Sequence, residues 1–180
     1  MDKSHAILIR KTRLTDTSLI VSWCTPEHGL IKTVARAALR PTSPFAGRLD
    51  LFYQAEIVFS RSRKADSDLH NLREVNVTDH RTAIGKSYRR TLAASYLIKL
   101  IELAAEKETP IPILHDLLTL ALDHLISHDP SKKLLHRFEF RLATYLGLDP
   151  TEESTAAANI HALYNRLPPQ RQDLLDLLEK

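Results

Sequence analysis

Apolar and polar residues alternate through most of the first 80 positions, and the pattern then changes to a helical rhythm. Because successive side chains of a strand point to opposite faces, the alternation predicts five strands. Ala6–Thr12 is short and rich in isoleucine. Ser18–Thr25 carries Leu19, Val21 and Trp23 on one face and Ile20 and Cys24 on the other, and Leu30–Ala37 continues as a third strand. Leu51–Ser60 groups Leu51, Tyr53, Ala55, Ile57 and Phe59, and Leu69–Thr78 sets Val75 and Val77 on one side. Between the second and third strands, Thr25-Pro26-Glu27-His28-Gly29 reads as a turn with Gly29 in the left-handed position. Arg40–Gly47 holds too much proline and too many small residues for regular structure, and Arg61–Asp68 is a polar turn. Short strands joined mostly by tight turns predict a five-stranded barrel of the oligonucleotide/oligosaccharide-binding (OB) type over residues 1–80.

Residues 81–180 read as a helical domain, making the fold class α+β. Ser87–Ala105 places Leu92, Tyr96, Leu100 and Leu103 at three- and four-residue spacings, and Pro110 and Pro112 break the run. Ile113–Ile126 carries a wide leucine stripe. Asp129-Pro130-Ser131 signals the start of Leu134–Leu146, whose Leu135, Phe138, Leu142 and Leu146 face the core, with Gly147 as the C-terminal cap. Residues 149–155 are expected to be loop, Asn159–Leu167 helix, and Gln170–Glu179 a last amphipathic helix.

Composition excludes more than it selects. Four glycines are too few for glycine-dense phosphate cradles, and one cysteine, Cys24, supplies neither a disulfide framework nor a cysteine zinc site. The N-terminus lacks the apolar core of a signal peptide and no apolar run approaches ~18 residues, so a cytoplasmic protein is expected. No nucleophile elbow, Walker loop, dinucleotide fingerprint or paired-histidine protease motif occurs. His124 and His128 share a helix face but lack a third ligand, so neither a metal nor a catalytic site is expected.

Net charge is only +3, yet its distribution is uneven. Within residues 32–64, Lys32, Arg36, Arg40, Arg48, Arg61, Arg63 and Lys64 face only Asp50 and Glu56, so that stretch carries +5 on a body of −2. A cationic segment on a near-neutral chain suits a phosphate backbone. Lys32 and Arg36 fall on the same face of the third strand, Arg40 enters the loop and Arg48 leaves it. Phe45 is the candidate for stacking on a base, while Trp23 and Phe52 are more easily explained as core.

In order, these features resemble the RecO family of bacterial recombination mediators in DNA repair. The family begins with a strand, an Arg-centred turn and a strand ending in Thr-x-x-x-Gly, here Ala6–Arg13, Thr15–Ser18 and Val21–Thr25 with Gly29. A Val-Ala-basic-Gly-Ala-basic run follows, here Val34–Arg40, then a Ser-x-Phe-x-Gly-x-Leu segment, here Ser43–Leu49. The Arg-Phe-Glu helix ending in Leu-Gly corresponds to Arg137-Phe138-Glu139 through Leu146-Gly147. The resemblance implies an OB domain followed by a helical partner-binding domain, without enzymatic turnover or a cofactor. It also implies binding of single- and double-stranded DNA, annealing, and loading of RecA onto strands coated with single-stranded-DNA-binding protein (SSB). RecR and, in many bacteria, RecF are the implied partners, and the location is cytoplasmic, with the nucleoid. DNA binding carries over to Arg36 and Arg40, with Arg48 beside them, and docking of the acidic SSB tail to His136 and Arg137. Three departures stand out. Pro150–Ala158 lacks the cysteines of the family's zinc module, Ala37 replaces the usual glycine, and Leu39 interrupts the basic run. The chain is also shorter than typical members. A second function class is a non-enzymatic adaptor for SSB or RecR with weak DNA affinity, and a third is a histidine-dependent hydrolase.

Overall fold

The computed structural model of the chain describes residues 1–62 and 67–179, so Arg63 and Lys64, counted in the basic segment, lie outside the described residues. Five strands form a closed barrel: β1 Asp2–Arg13, β2 Leu19–Thr25, β3 Gly29–Ala35, β4 Gln54–Ser60 and β5 Leu69–Asp79. They run in the order β1-β2-β3-β5-β4, with β3 and β5 parallel and the other pairs antiparallel. Closure leaves no sheet edge open, and this OB-type barrel is filled by the residues that alternation turns inward. Val21 and Trp23 of β2, Ile31 of β3, Ala55, Ile57 and Phe59 of β4 and Val75 of β5 share one core. The indole of Trp23 is fully buried, and its N–H donates to Thr33 Oγ1 at 2.9 Å, so the one polar atom of the ring is satisfied.

Two strand ends differ from the expected ones for backbone reasons. β3 stops at Ala35 because Ala37 sits at φ 54, and β4 starts at Gln54 because Phe52 sits at φ 72. Both angles are left-handed conformations that side chains disfavour. Phe52 is held there by its N–H donating to Leu8 O and by the Arg81 guanidinium donating to its carbonyl at 3.1 Å. Ala37 is held by donating to Ser18 Oγ at 3.1 Å. Left-handed strain costs a non-glycine residue about 1–2 kcal/mol, and glycine gives back roughly half of that through its looser unfolded state. Ala37→Gly is therefore expected to stabilise the chain by about 0.5–1 kcal/mol, read as a higher Tm in thermal denaturation. An unchanged or lower Tm would show that Ala37 carries no strain.

The chain forms two compact units, Met1–Arg81 with Ala105–His115, and Thr82–Ala104 with Asp116–Lys180. The segment 105–115 thus belongs with the barrel. Ile111 N–H donates to Pro26 O at 2.9 Å and Glu108 N–H to Leu30 O at 3.4 Å. Gly29 serves both arrangements. It turns the chain at φ +65, and a Cβ there would stand 2.1 Å from the Thr109 carbonyl oxygen.

The helices are α1 Thr82–Gly85, α2 Tyr88–Ala104, α3 Pro112–Ser127, α4 Lys132–Tyr145, α5 Ala156–Tyr164 and α6 Gln170–Leu178. α2 buries Ala93, Ala94, Leu97, Ile98 and Ile101 as well as Tyr96 and Leu100, which makes it the central helix of its unit. α4 is capped as its sequence signals. Ser131 Oγ accepts from Leu134 N–H at 3.2 Å, and past Gly147, at φ +73, Leu148 N–H bonds Ala143 O at 3.0 Å. α5 starts three residues before the expected Asn159, because Ala156-Ala157-Ala158 are strong helix formers, and ends at Asn165 in the left-handed conformation. No described helix is long and apolar enough to cross a membrane.

Candidate nucleic-acid interface and a groove on the helical unit

On the barrel, strand register assembles a cationic face. Ser22 pairs with Arg10 on one side and with Lys32 on the other. Since Val21 and Trp23 point inward, this Arg10–Ser22–Lys32 row points outward, with its ends about 10 Å apart across two strand spacings. A bulge at Ile9 shifts the register and puts Arg10 into the row, which alternation alone does not reveal. Lys32 Nζ lies 3.2 Å from Asp68, and Lys107 approaches the same carboxylate at 3.6 Å. The hydrogen bond from Lys32, backed by the charge of Lys107, holds the Asp68 carboxyl below its ordinary pKa.

Arg61, the other described cation of the basic segment, pairs with Asp2 at 3.0 Å, whereas the three arginines between β3 and β4 are held differently. Arg36 donates to the neutral Asn71 Oδ1 at 3.3 Å, and Arg48 to Val75 O at 3.2 Å. Arg40 is exposed. None of the three has a carboxylate partner among the described residues. The loop that carries them is a chain of tight turns: Arg40 N–H bonds Ala37 O, Ser43 N–H bonds Arg40 O, Ala46 N–H bonds Ser43 O and Arg48 N–H bonds Phe45 O, at 3.0–3.1 Å. The guanidinium groups therefore stand on an ordered segment.

The expected stacking role of Phe45 is corrected by its burial. The ring is 7% exposed within the barrel core, where it anchors the loop and presents no face to a base. Trp23 and Phe52 are buried too, and Tyr53 is half-buried with its ring edge-on to His80. Among its described residues the barrel presents positive charge but no exposed Phe, Tyr or Trp ring.

On the helical unit, a groove of about 420 Å³ runs between α3 and α4. Leu117, Leu120 and Ala121 supply an apolar wall, Phe138 part of the floor, and Lys133, Arg137 and Arg141 a basic rim without any acidic lining residue. Those three cations recur every four residues and so share one face of α4. Of the two residues to which tail docking was carried over, Arg137 lines the groove, whereas His136 is half-buried and is not a lining residue. Lys133 and Arg141 were missed, although their spacing from Arg137 is readable in the sequence; Leu120, 61% exposed on α3, comes to the site only through folding. His124, also in the lining, stacks on His128 with centroids 4.3 Å apart. Partial burial, and then the charge of His128, lower its pKa, which leaves the fixed charge of the groove to α4.

The next residue points the other way. Glu139 is fully buried, accepts from the Tyr96 hydroxyl at 2.5 Å, and receives Arg171 through both oxygens at 2.7 and 3.3 Å. Burial, and then the Glu139 charge, push the Tyr96 hydroxyl far up, while the hydrogen bond to Glu139 raises the Arg171 pKa. Arg137-Phe138-Glu139 thus divides into rim, floor and internal anchor.

Two family models match the chain: Recombination protein O N terminal over residues 1–81 and Recombination protein O C terminal over residues 85–162. Curated relatives include the DNA repair protein RecO of Syntrophus aciditrophicus, 31% identical over 82% of this chain and 56% of the relative. Those of Listeria monocytogenes serotype 4b and Dehalococcoides mccartyi are 30% and 28% identical over 87% and 88% of this chain, each over 60% of the relative. The chain therefore spans a little over half the length of these relatives.

Proposed function

The chain belongs to the RecO family, and on that basis we propose that it acts in DNA repair as a non-enzymatic DNA-binding recombination mediator. The observation that carries the reading is the row of three arginines, Arg36, Arg40 and Arg48, standing on an ordered loop without carboxylate partners among the described residues. Arg10 and Lys32 extend the charge across the sheet. Without an exposed aromatic ring on this face, affinity there comes from phosphates and is indifferent to sequence. Annealing of complementary strands and loading of RecA, with RecR and RecF as partners, are the roles this reading assigns.

The groove supports the second half of the proposal. An acidic tail ending in apolar residues, such as that of SSB, would set its carboxylates against Lys133, Arg137 and Arg141 and its apolar end on the exposed Leu120 and the half-buried Leu134. Arg137→Ala is expected to weaken binding of a labelled SSB-tail peptide about 10-fold, the loss of one charged hydrogen bond. Equal affinities for variant and parent would remove Arg137 from the site.

Fluorescence anisotropy of a labelled single strand over a salt series tests the whole reading. The logarithm of the affinity should fall linearly with log salt, by about 0.7 in slope for each phosphate contacted. Absence of binding at low salt, with peptide binding intact, would leave the adaptor as the function.

A further inference from the structure

We propose that the start of α2 is a second nucleic-acid contact surface, carried by the helical unit, which binds a single strand through Lys86 and Arg89 and stacks one base on Tyr88. The proposal rests on the nucleic-acid reading of the chain but uses none of the barrel residues that carry it. From His80 to Ile101 the sequence contains no Asp or Glu, while Arg81, Lys86, Arg89, Arg90 and Lys99 are cationic. Three of these are occupied inside the fold. Arg81 is buried against Phe52 O and Gln54 Oε1, Arg90 holds Asp129 at 3.1 Å and Ile126 O at 2.7 Å, and Lys99 holds Glu102 at 2.9 Å. Lys86 and Arg89 are exposed and have no side-chain partner among the described residues.

Their position is unfavourable for the fold alone. The first turn of a helix carries partial positive charge, and stable helices place acids there. α2 has no acid in its first turn and carries Arg89 and Arg90 in it, with Lys86 just ahead. The helix is ordered regardless, since Ser87 Oγ accepts from Arg90 N–H and Thr91 Oγ1 donates to Ile84 O at 2.8 Å. An external polyanion reverses the sign, because two unpaired cations and the field of the helix then act on the same phosphates.

Tyr88 makes the partner a nucleic acid rather than a generic anion. It is 72% exposed, the most exposed Phe, Tyr or Trp ring in the chain, and it lies between Lys86 and Arg89 in sequence. Such a ring offers a face on which any base can stack. The barrel face lacks this feature, so the two surfaces divide the work: phosphate pairing on the barrel, and phosphate pairing with base stacking at α2.

The test is anisotropy of a fluorescent oligothymidylate on the full chain over a salt series. Lys86→Ala with Arg89→Ala should weaken binding about 10-fold at low salt and reduce the slope by about 1.4, two single-strand phosphates. Tyr88→Leu should weaken it at least ~5-fold with the slope unchanged, the signature of lost stacking. All three side chains are exposed, and unaltered circular-dichroism melting checks that each variant folds. Photocrosslinking to a bromodeoxyuridine strand should map to the peptide containing Tyr88. Parent-like affinity and slope in both variants would overturn the proposal, whatever barrel variants do. So would loss of acidic-peptide binding with oligonucleotide binding intact, which would assign the surface to a protein partner. If barrel variants bind normally while α2 variants do not, this surface stands and the barrel reading falls.

Discussion

Glu139→Ala is expected to destabilise the chain by about 3 kcal/mol, a fall in Tm of roughly 6–12 °C for a protein of this size. The carboxylate is fully buried and is the shared acceptor for Tyr96 on α2 and Arg171 on α6. Its removal leaves a buried hydroxyl without its acceptor and a guanidinium without its counter-charge, besides a small cavity. The figure is set at the low end for a broken buried pair because Arg171 keeps 22% of its side chain exposed, where water can solvate it. Glu139→Gln keeps the shape but turns an amide N–H₂ toward one of the donors, so about half the loss is expected. Replacing Glu139 and Arg171 together by methionine should cost less than the sum of the single changes, since no unpaired charge is left behind. Urea and thermal denaturation followed by far-ultraviolet circular dichroism measure all three; a Glu139→Ala midpoint within ~2 °C of the parent would deny the triad its role. A functional consequence follows from position. α4 carries Lys133, Arg137 and Arg141 on its outer face, so an α4 that has lost its internal anchor should also hold an acidic peptide less well.

The triad also shows what could be read from the sequence. Leu135, Phe138 and Leu142 mark the buried stripe of α4, and Glu139, four residues after Leu135, falls on that stripe. A carboxylate there demands a partner, which is as far as periodicity reaches. That the partners are Tyr96, 43 residues earlier, and Arg171, 32 later, is a tertiary fact. Arg171 also lies beyond the family match, which ends at residue 162. The strands and main helices were legible because one-sided burial imposes periods of two and 3.6 on the chain. Their ends were less so where a side chain sits at positive φ, as Phe52 does, since nothing in a phenylalanine announces it.

The cationic face was legible as composition and illegible as pairing. Charge counting treats Lys32 and Arg36 alike. Folding gives Lys32 a carboxylate at 3.2 Å and Arg36 only an amide oxygen. A loop aromatic flanked by proline and glycine suggests exposure, yet Phe45 turns into the barrel, because a closed barrel needs its end covered. The sequence pointed to a basic loop with a stacking ring. In the structure Arg36, Arg40 and Arg48 have no carboxylate partner among the described residues, Arg10 shares a row with Lys32, and the ring of Phe45 is buried while that of Tyr88 on α2 is exposed.

Replacing Arg36, Arg40 and Arg48 together by alanine should weaken single-strand binding about 10²–10³-fold at low salt and lower the salt slope by about 2. The two numbers have one origin. Each guanidinium that meets a phosphate releases condensed counterions, so three lost contacts remove about three times 0.7 from the slope, together with roughly 1 kcal/mol each. The fold should tolerate the change, because Arg36 gives up one bond to Asn71, Arg48 one to Val75 O, and Arg40 none to a side chain among the described residues. Lys32→Ala should matter less, since Asp68 already neutralises that cation, with Lys107 sharing the same carboxylate. Asp68→Asn should act in the opposite direction and tighten binding ~2–5-fold, by releasing two cations toward the strand. Such opposite signs cannot arise from general unfolding. If the triple variant keeps the parent slope, the phosphates are held elsewhere, and the ordered loop from Ala37 to Arg48 loses its claim to the DNA.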